Sequence, residues 1–240
     1  MAIKNSFSGL AGANNTMSRR FGSTIGGAEP YVTGTFGVWF DKLPAMLPAY
    51  VANESSGALN DAQIKSILAA SCTGVTPPGG TLNKVEFTGT GGTKWSVPGN
   101  IDYGNSVSFK FFEMNNLPIM SIMHAWVKLI RDYRYGVSGI VDGEEANYSK
   151  ATYAGLAYYW TTSPDGATVQ YYAAYDGLFP GKDPQDMMAS DVETVGKVDI
   201  EIEMNVDYAW HEPWVKTKCQ TFATTYSAAS KEAIDKYSGQ

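Results

Sequence analysis

Two cysteines and two histidines are all that 240 residues offer of the side chains that most often bind transition metals or act as nucleophile and base at neutral pH. Cys72 and Cys219 are too few for a disulfide framework and read as buried, reduced thiols. His124 and His211 have no neighbours at zinc-ligand spacing, so no metal and no cofactor is expected. Positive charge is also scarce. Eighteen Lys and Arg face 24 Asp and Glu, a net charge of -6, so the molecule as a whole repels a phosphate backbone and does not read as a sequence-specific nucleic-acid binder. Long apolar runs are missing. Nothing approaches the ~18 apolar residues of a membrane-spanning helix, and residues 1–10 lack the apolar stretch of a signal peptide. The expectation is assembly in the cytoplasm without a membrane partner.

What is present is a globular composition, 44% apolar and 18% charged, tilted by 25 glycines and 15 tyrosines toward a turn-rich β protein. Residues 1–30 show no periodicity and read as a flexible N-terminal arm. A strand is expected over 31–43, ended by Pro44 and Pro48. A helix follows near 60–71, with Asn60 and Gln63 at capping-box positions and Leu59 and Ile64 placed as a staple. The stretch 73–105 is so punctuated by Gly and Pro that only short strands near 85–88 and 94–97 fit, as a hairpin or loop. The clearest helix starts at Pro118 and runs to about 134, with Ile119, Ile122, Met123, Trp126, Val127 and Ile130 on one stripe. Aromatic strands at 153–160 and 168–175 flank a Pro-Asp-Gly turn. The longest alternation places Val198, Ile200, Ile202, Met204 and Val206 opposite Asp199, Glu201, Glu203, Asn205 and Asp207. Pro213 opens a C-terminal helical extension over 213–240. No fixed-period repeat or dividing linker is visible. The fold class is therefore α+β and β-rich, with a main β domain over 31–212 interrupted by a loop and helix insertion at about 44–105.

Tests for chemistry come back bland. Gly89 to Lys94 lacks the Gly-Lys-Ser/Thr ending of a phosphate loop and has no helix after it. Glu144 and Glu145 sit in a polar loop, where a solvated turn is the simple account. His124 falls on the polar side of its helix and reads as solvent-facing, and nothing beside His211 resembles an activated nucleophile. No catalytic residue is expected, and the chain does not read as an enzyme. Tyr158, Tyr159, Trp160, Tyr171 and Tyr172 could stack on sugars or single-stranded nucleic acid, or simply fill a core and a subunit contact. The strand with Asp199, Glu201, Glu203 and Asp207 on one face fits either a solvated outer surface or the wall of a water-filled pore that a polyanion traverses without sticking.

Three segments in order carry a family resemblance. Residues 107–113 run through Asn115 into the helix of Trp126; the hairpin strand ends in 172–180 with Gly177, Leu178, Phe179 and Pro180; and the alternating strand closes with Asp207 and Tyr208. Together they resemble the tail tube proteins of contractile-tailed bacteriophages, the T4-type family. The resemblance covers mainly 100–212 and leaves residues 1–30, the helix near 60–71 and everything after 213 without a counterpart. It implies an antiparallel β-sandwich or barrel subunit with one or two flanking helices, forming a closed β-barrel tube on oligomerisation, with the Trp126 helix outside that barrel. By the same implication the chain is a structural virion protein of the tail, assembled in the host cytoplasm. Its hexameric rings would stack into a conduit for DNA ejection, contacting sheath, baseplate and tail-terminator proteins, with DNA passing the lumen unbound. The lumen would carry Asp199, Glu201, Glu203 and Asp207. The alternatives are a baseplate, tail-terminator or injection-system ring protein of the same fold, or a glycan-binding β-sandwich.

Overall fold

The computed structural model describes residues 35–54, 58–90, 92–114, 116–131, 149–164, 166–185 and 198–238, so the expected arm at 1–30 and the Glu144–Glu145 loop lie outside the described residues. The elements in chain order are β1 (Phe36–Lys42), α1 (Leu47–Glu54), α2 (Asp61–Ser71), β2 (Cys72–Thr76), β3 (Gly80–Thr88), β4 (Lys94–Tyr103), β5 (Ser106–Phe112), α3 (Pro118–Ile130), α4 (Lys150–Tyr153), β6 (Gly155–Thr162), β7 (Val169–Pro180), β8 (Asp199–Asn205), β9 (Tyr208–Trp210) and α5 (Pro213–Ser238). The protein is thus β-rich α+β, with antiparallel pairing throughout these strands.

One continuous ladder runs β1-β6-β7-β8-β5-β2, and β9 joins the free side of β7. β7 is the hinge of this arrangement. Its first ten residues pair β6, while only Phe179 and Pro180 reach β8. The sheet curls there, because Phe40 on β1 meets Phe109 on β5 at 5.6 Å between ring centroids although three strands separate them in the ladder. The two halves therefore face one another as the layers of a sandwich. Among the described residues no pairing joins β1 to β2, so the single chain does not close into a barrel.

The space between the layers is filled by Val38 and Phe40 from β1, Val107, Phe109 and Phe111 from β5, Ala173 and Tyr175 from β7, and Ile200, Ile202 and Met204 from β8. α3 enters this core. Ile119, Ile122, Met123, Ala125 and Trp126 are fully buried and Leu129 nearly so, whereas Val127 and Ile130 are half-buried. The helix ends at Ile130, four residues short of the expected 134, with Arg131 already extended (φ -155°). A helix buried to this extent is part of this chain's own core. Its apolar stripe spans more than one face, since Ala125 and Leu129 are buried beside the a/d-type positions, and a helix apolar over so wide an arc is a core helix.

The segment expected as an insertion contributes to the same core. α1 was not anticipated, because Pro44 and Pro48 read as breakers. Pro48 is the second residue of the helix, where a missing N–H has no helical acceptor to lose, and Leu47 and Val51 are fully buried. α2 packs beside β1 through Ile64 and Leu68. Its capping box is complete: Gln63 N–H donates to Asn60 Oδ1 at 2.9 Å, and Asn60 N–H donates to Gln63 Oε1 at 2.9 Å. Asn60→Ala is expected to cost about 1 kcal/mol, read as a lower denaturant midpoint at unchanged slope.

On the opposite side of β6 and β7, α5 lays Val215, Cys219 and Ala223, one turn apart each, over Tyr158, Trp160, Val169 and Ala174. Gln220 ties the helix to the β6–β7 turn, accepting from Val169 N–H at 3.0 Å and donating to Ala167 O at 2.9 Å.

Candidate functional site

The acidic alternation is real geometry over β8. Ile200, Ile202 and Met204 are fully buried, and Asp199, Glu201 and Glu203 stand exposed on the other side. Alternate residues on a strand are about 7 Å apart, so these carboxylates form a row of like charge on the outer face of the β8–β5–β2 layer. Cross-strand neighbours on β5 are Phe112 beside Asp199, Lys110 beside Glu201 and Ser108 beside Glu203. Lys110 Nζ lies 3.2 Å from Glu201 Oε2, with both side chains half-exposed, so solvent screens the pair and it offsets one charge of the row only in part.

Asp207 is set apart from that row. The alternation continues through Val206, which is buried, but there the chain leaves β5, and only its pairing with β7, begun at Met204 and Asn205, carries on in the same register into β9. At that point Asp207 N–H donates to Asp176 O at 3.0 Å, and the Asp207 carboxylate pairs with Lys150, whose Nζ also sits 4.8 Å above the Phe179 ring. Gly177 is required opposite it, being left-handed at φ 72° with no room for a Cβ against the Asp207 carboxylate.

His124 is not solvent-facing. Its side chain is 11% exposed and its Nδ1 is 2.7 Å from Asp183 Oδ2 and 3.0 Å from Gln185 Nε2, binding α3 to the segment after β7. His211 Nδ1 meets the Tyr172 carbonyl at 2.9 Å on the surface, which sets its ring against Tyr171. Both cysteines are free thiols, and burial pushes each up to about 12, far from the thiolate a nucleophile or ligand needs. Among the described residues no three His, Cys, Asp or Glu side chains converge on a metal-sized site.

Burial also decides the aromatic residues. Trp160 is 3% exposed and stacks on Phe222 of α5 at 5.9 Å, and Tyr158 is equally covered, so neither can lie flat on a sugar ring. The exposed aromatics are elsewhere. Among the described residues β3 and β4 pair only with each other, and this two-stranded ribbon keeps Val85, Phe87, Trp95 and Val97 between 42% and 54% exposed. Val85 opposes Val97 and Phe87 opposes Trp95, their rings stacked at 6.4 Å, so all four share one face. The Gly89 to Lys94 stretch is the tip of this ribbon, closed by Gly89 N–H donating to Thr93 O at 2.8 Å, and it opens a strand, not the helix a phosphate loop requires. Sequence reasoning found the hairpin but made it short, because Pro98 reads as a strand breaker. Pro98 in fact lies beside a bulge on a ribbon that has no third strand among the described residues, where no ladder partner needs its N–H.

No protein-family model matches the chain, and no curated protein matches it. Solved structures similar to it come from contractile injection systems. The sheath/tube terminator of an extracellular system, PVC, in its extended state is 11% identical with a TM-score of 0.42, the match covering 76% of this chain and 96% of that one. The tube-terminating cap of the anti-feeding prophage is 12% identical with a TM-score of 0.42, covering 76% of this chain and 92% of that one. The PVC sheath–tube complex in its extended state supplies a chain 10% identical with a TM-score of 0.40, covering 81% of this chain and 97% of that one.

Proposed function

We propose that this chain is a non-catalytic building block that self-associates into rings of a contractile-tail particle, as the tube subunit or as a terminator or baseplate ring of the same design. The β3–β4 ribbon is the observation that carries the reading. A two-stranded ribbon with a half-exposed apolar face is marginal in water by itself, and a face of that kind becomes stable when another surface covers it. The ordered sequence resemblance to tail tube proteins supports the particle type, and the same resemblance supports hexameric rings, stacking and contact with sheath and baseplate proteins. The test is direct. Purified protein is expected to form rings or tubes visible by negative-stain microscopy and as fast-sedimenting species on raising concentration; a chain that stays monomeric at high concentration overturns the reading.

The acidic row gives the conduit version its own test. With Asp199, Glu201 and Glu203 lining a lumen, a polyanion meets like charge along the wall and does not adhere. Glu201→Lys with Glu203→Lys is expected to leave assembly intact while the particles retain double-stranded DNA at low salt and release it at high salt. Particles that fail to form would place these residues in a subunit contact, and particles that form but retain no DNA would place them on the outside.

A further inference from the structure

The geometry points to a specific receptor for the ribbon: the groove between α2 and β1 of a second copy of this chain. The inference rests on the self-assembly reading above and names the two surfaces that meet. The groove, about 700 Å³, is lined by Phe36, Val38, Ala69, Ala70, Trp160 and Ala223 among others, and among the described residues no charged side chain lines it. β1 is the outermost strand of the ladder at this end, so the groove runs along a sheet margin, where an extended ribbon can lie. Gly37 shapes its floor. A Cβ there would fall inside the Trp160 ring, so the glycine lets the indole lie flat across β1.

The two surfaces match in chemistry and extent. Val85, Phe87, Trp95 and Val97 form an uncharged apolar face, while the other side of the ribbon carries Lys84, Glu86 and Lys94, with the exposed pair Leu82 and Ile101 beyond the bulge. At 42–54% exposure the four apolar side chains show roughly 350 Å² of surface. That is close to half of the about 800 Å² per partner in a stable interface, leaving the ribbon's flanks to supply the rest. Each copy would engage twice, once with its ribbon and once with its groove. The ribbon does not fill the groove of its own chain, since its apolar side chains remain exposed. A ribbon given to one neighbour and a groove offered to another make a head-to-tail contact, which closes into a ring if the rotation permits and otherwise runs on as a filament.

The experiment compares the intact chain with two surface variants and their mixture by sedimentation velocity. Phe87→Asp with Trp95→Asp puts charge on the ribbon, and Ala70→Trp fills the groove from an exposed helical position. Each variant alone is expected to lose self-association by at least 100-fold in apparent Kd, with circular dichroism and thermal unfolding of the monomer unchanged. Mixed one to one, the ribbon variant still offers an intact groove and the groove variant an intact ribbon, so the expected product is a heterodimer and nothing larger. Three results overturn the inference while leaving self-assembly standing. The ribbon variant could assemble normally; the groove variant could do so, meaning something else occupies the groove, including residues before Thr35; or both could be monomeric without pairing on mixing. An intact chain that never associates removes the self-assembly reading itself.

Discussion

Trp126→Ala is expected to destabilise the folded chain by about 3–5 kcal/mol, the range for deleting a large buried aromatic. Domains of this size are stable by only about 5–15 kcal/mol, so the variant should unfold at far lower denaturant and populate unfolded chain near body temperature. The indole is fully buried, and its Nε1 donates to Tyr153 O at 2.8 Å. The backbone makes room for it at Gly155, where a Cβ would lie 3.2 Å from the Trp126 ring and 2.8 Å from Lys42 O. Truncation therefore opens a cavity and removes this hydrogen bond as well. Trp126→Phe keeps most of the packing and loses the hydrogen bond, for a smaller cost of about 1–2 kcal/mol. Trp95→Ala, the same truncation on the ribbon, is expected to leave monomer stability within about 0.5 kcal/mol. Equilibrium urea unfolding in dilute solution measures all three, and a loss below about 1 kcal/mol for Trp126→Ala would show that the helix does not sit in the core.

The contrast between these tryptophans marks where the sequence is informative and where it stops. The Asn60–Gln63 box was legible because both hydrogen bonds are local, closing between residues three apart. The exposed and buried sides of β8 were legible for a similar reason, since period two is a property of one strand. Which layer faces which is not local. Val85, Phe87, Trp95 and Val97 alternate with polar residues just as Ile200, Ile202 and Met204 do, and nothing in the order of residues says that a second sheet covers only the latter. The same blindness affected Asp207. The alternation runs unbroken through Val206 to Tyr208, yet β5 begins only at Ser106, opposite Asn205, so past that point the chain pairs with β7 alone, in the register already set at Phe179 and Pro180. His124 was misplaced because its cover comes from Asp183, 59 residues away.

Glu113 holds the second large effect, and no sequence rule pointed to it. α3 begins without a capping side chain of the usual kind: Leu117 stands at the cap position in a left-handed conformation (φ 51°, ψ 49°), following Asn116 at φ 76°. Asparagine tolerates this region, but a leucine held there costs on the order of 1–2 kcal/mol, so the turn must be held. The Glu113 carboxylate does this from the end of β5. Its Oε1 accepts from Met114 N–H at 2.9 Å and Ile119 N–H at 3.1 Å, and its Oε2 accepts from Met120 N–H at 2.8 Å. One side chain thus satisfies two of the first-turn donors of α3, places negative charge at the positive end of the helix dipole, and fixes the turn that carries β5 into the core helix. Hydrogen bonds to a charged group contribute about 1.5–3 kcal/mol, and three on one carboxylate are not additive, so Glu113→Ala is expected to cost about 2–3 kcal/mol. Glu113→Gln keeps one carbonyl oxygen but exchanges the other acceptor for a donor facing an N–H, and should recover no more than half of that loss. Glu113→Asp is one methylene short of Met120 and should recover less. Denaturant midpoints order the series as Glu, Gln, Asp, Ala from most to least stable. If Glu113→Ala matched the intact chain, the left-handed turn before α3 would have to be held by packing alone.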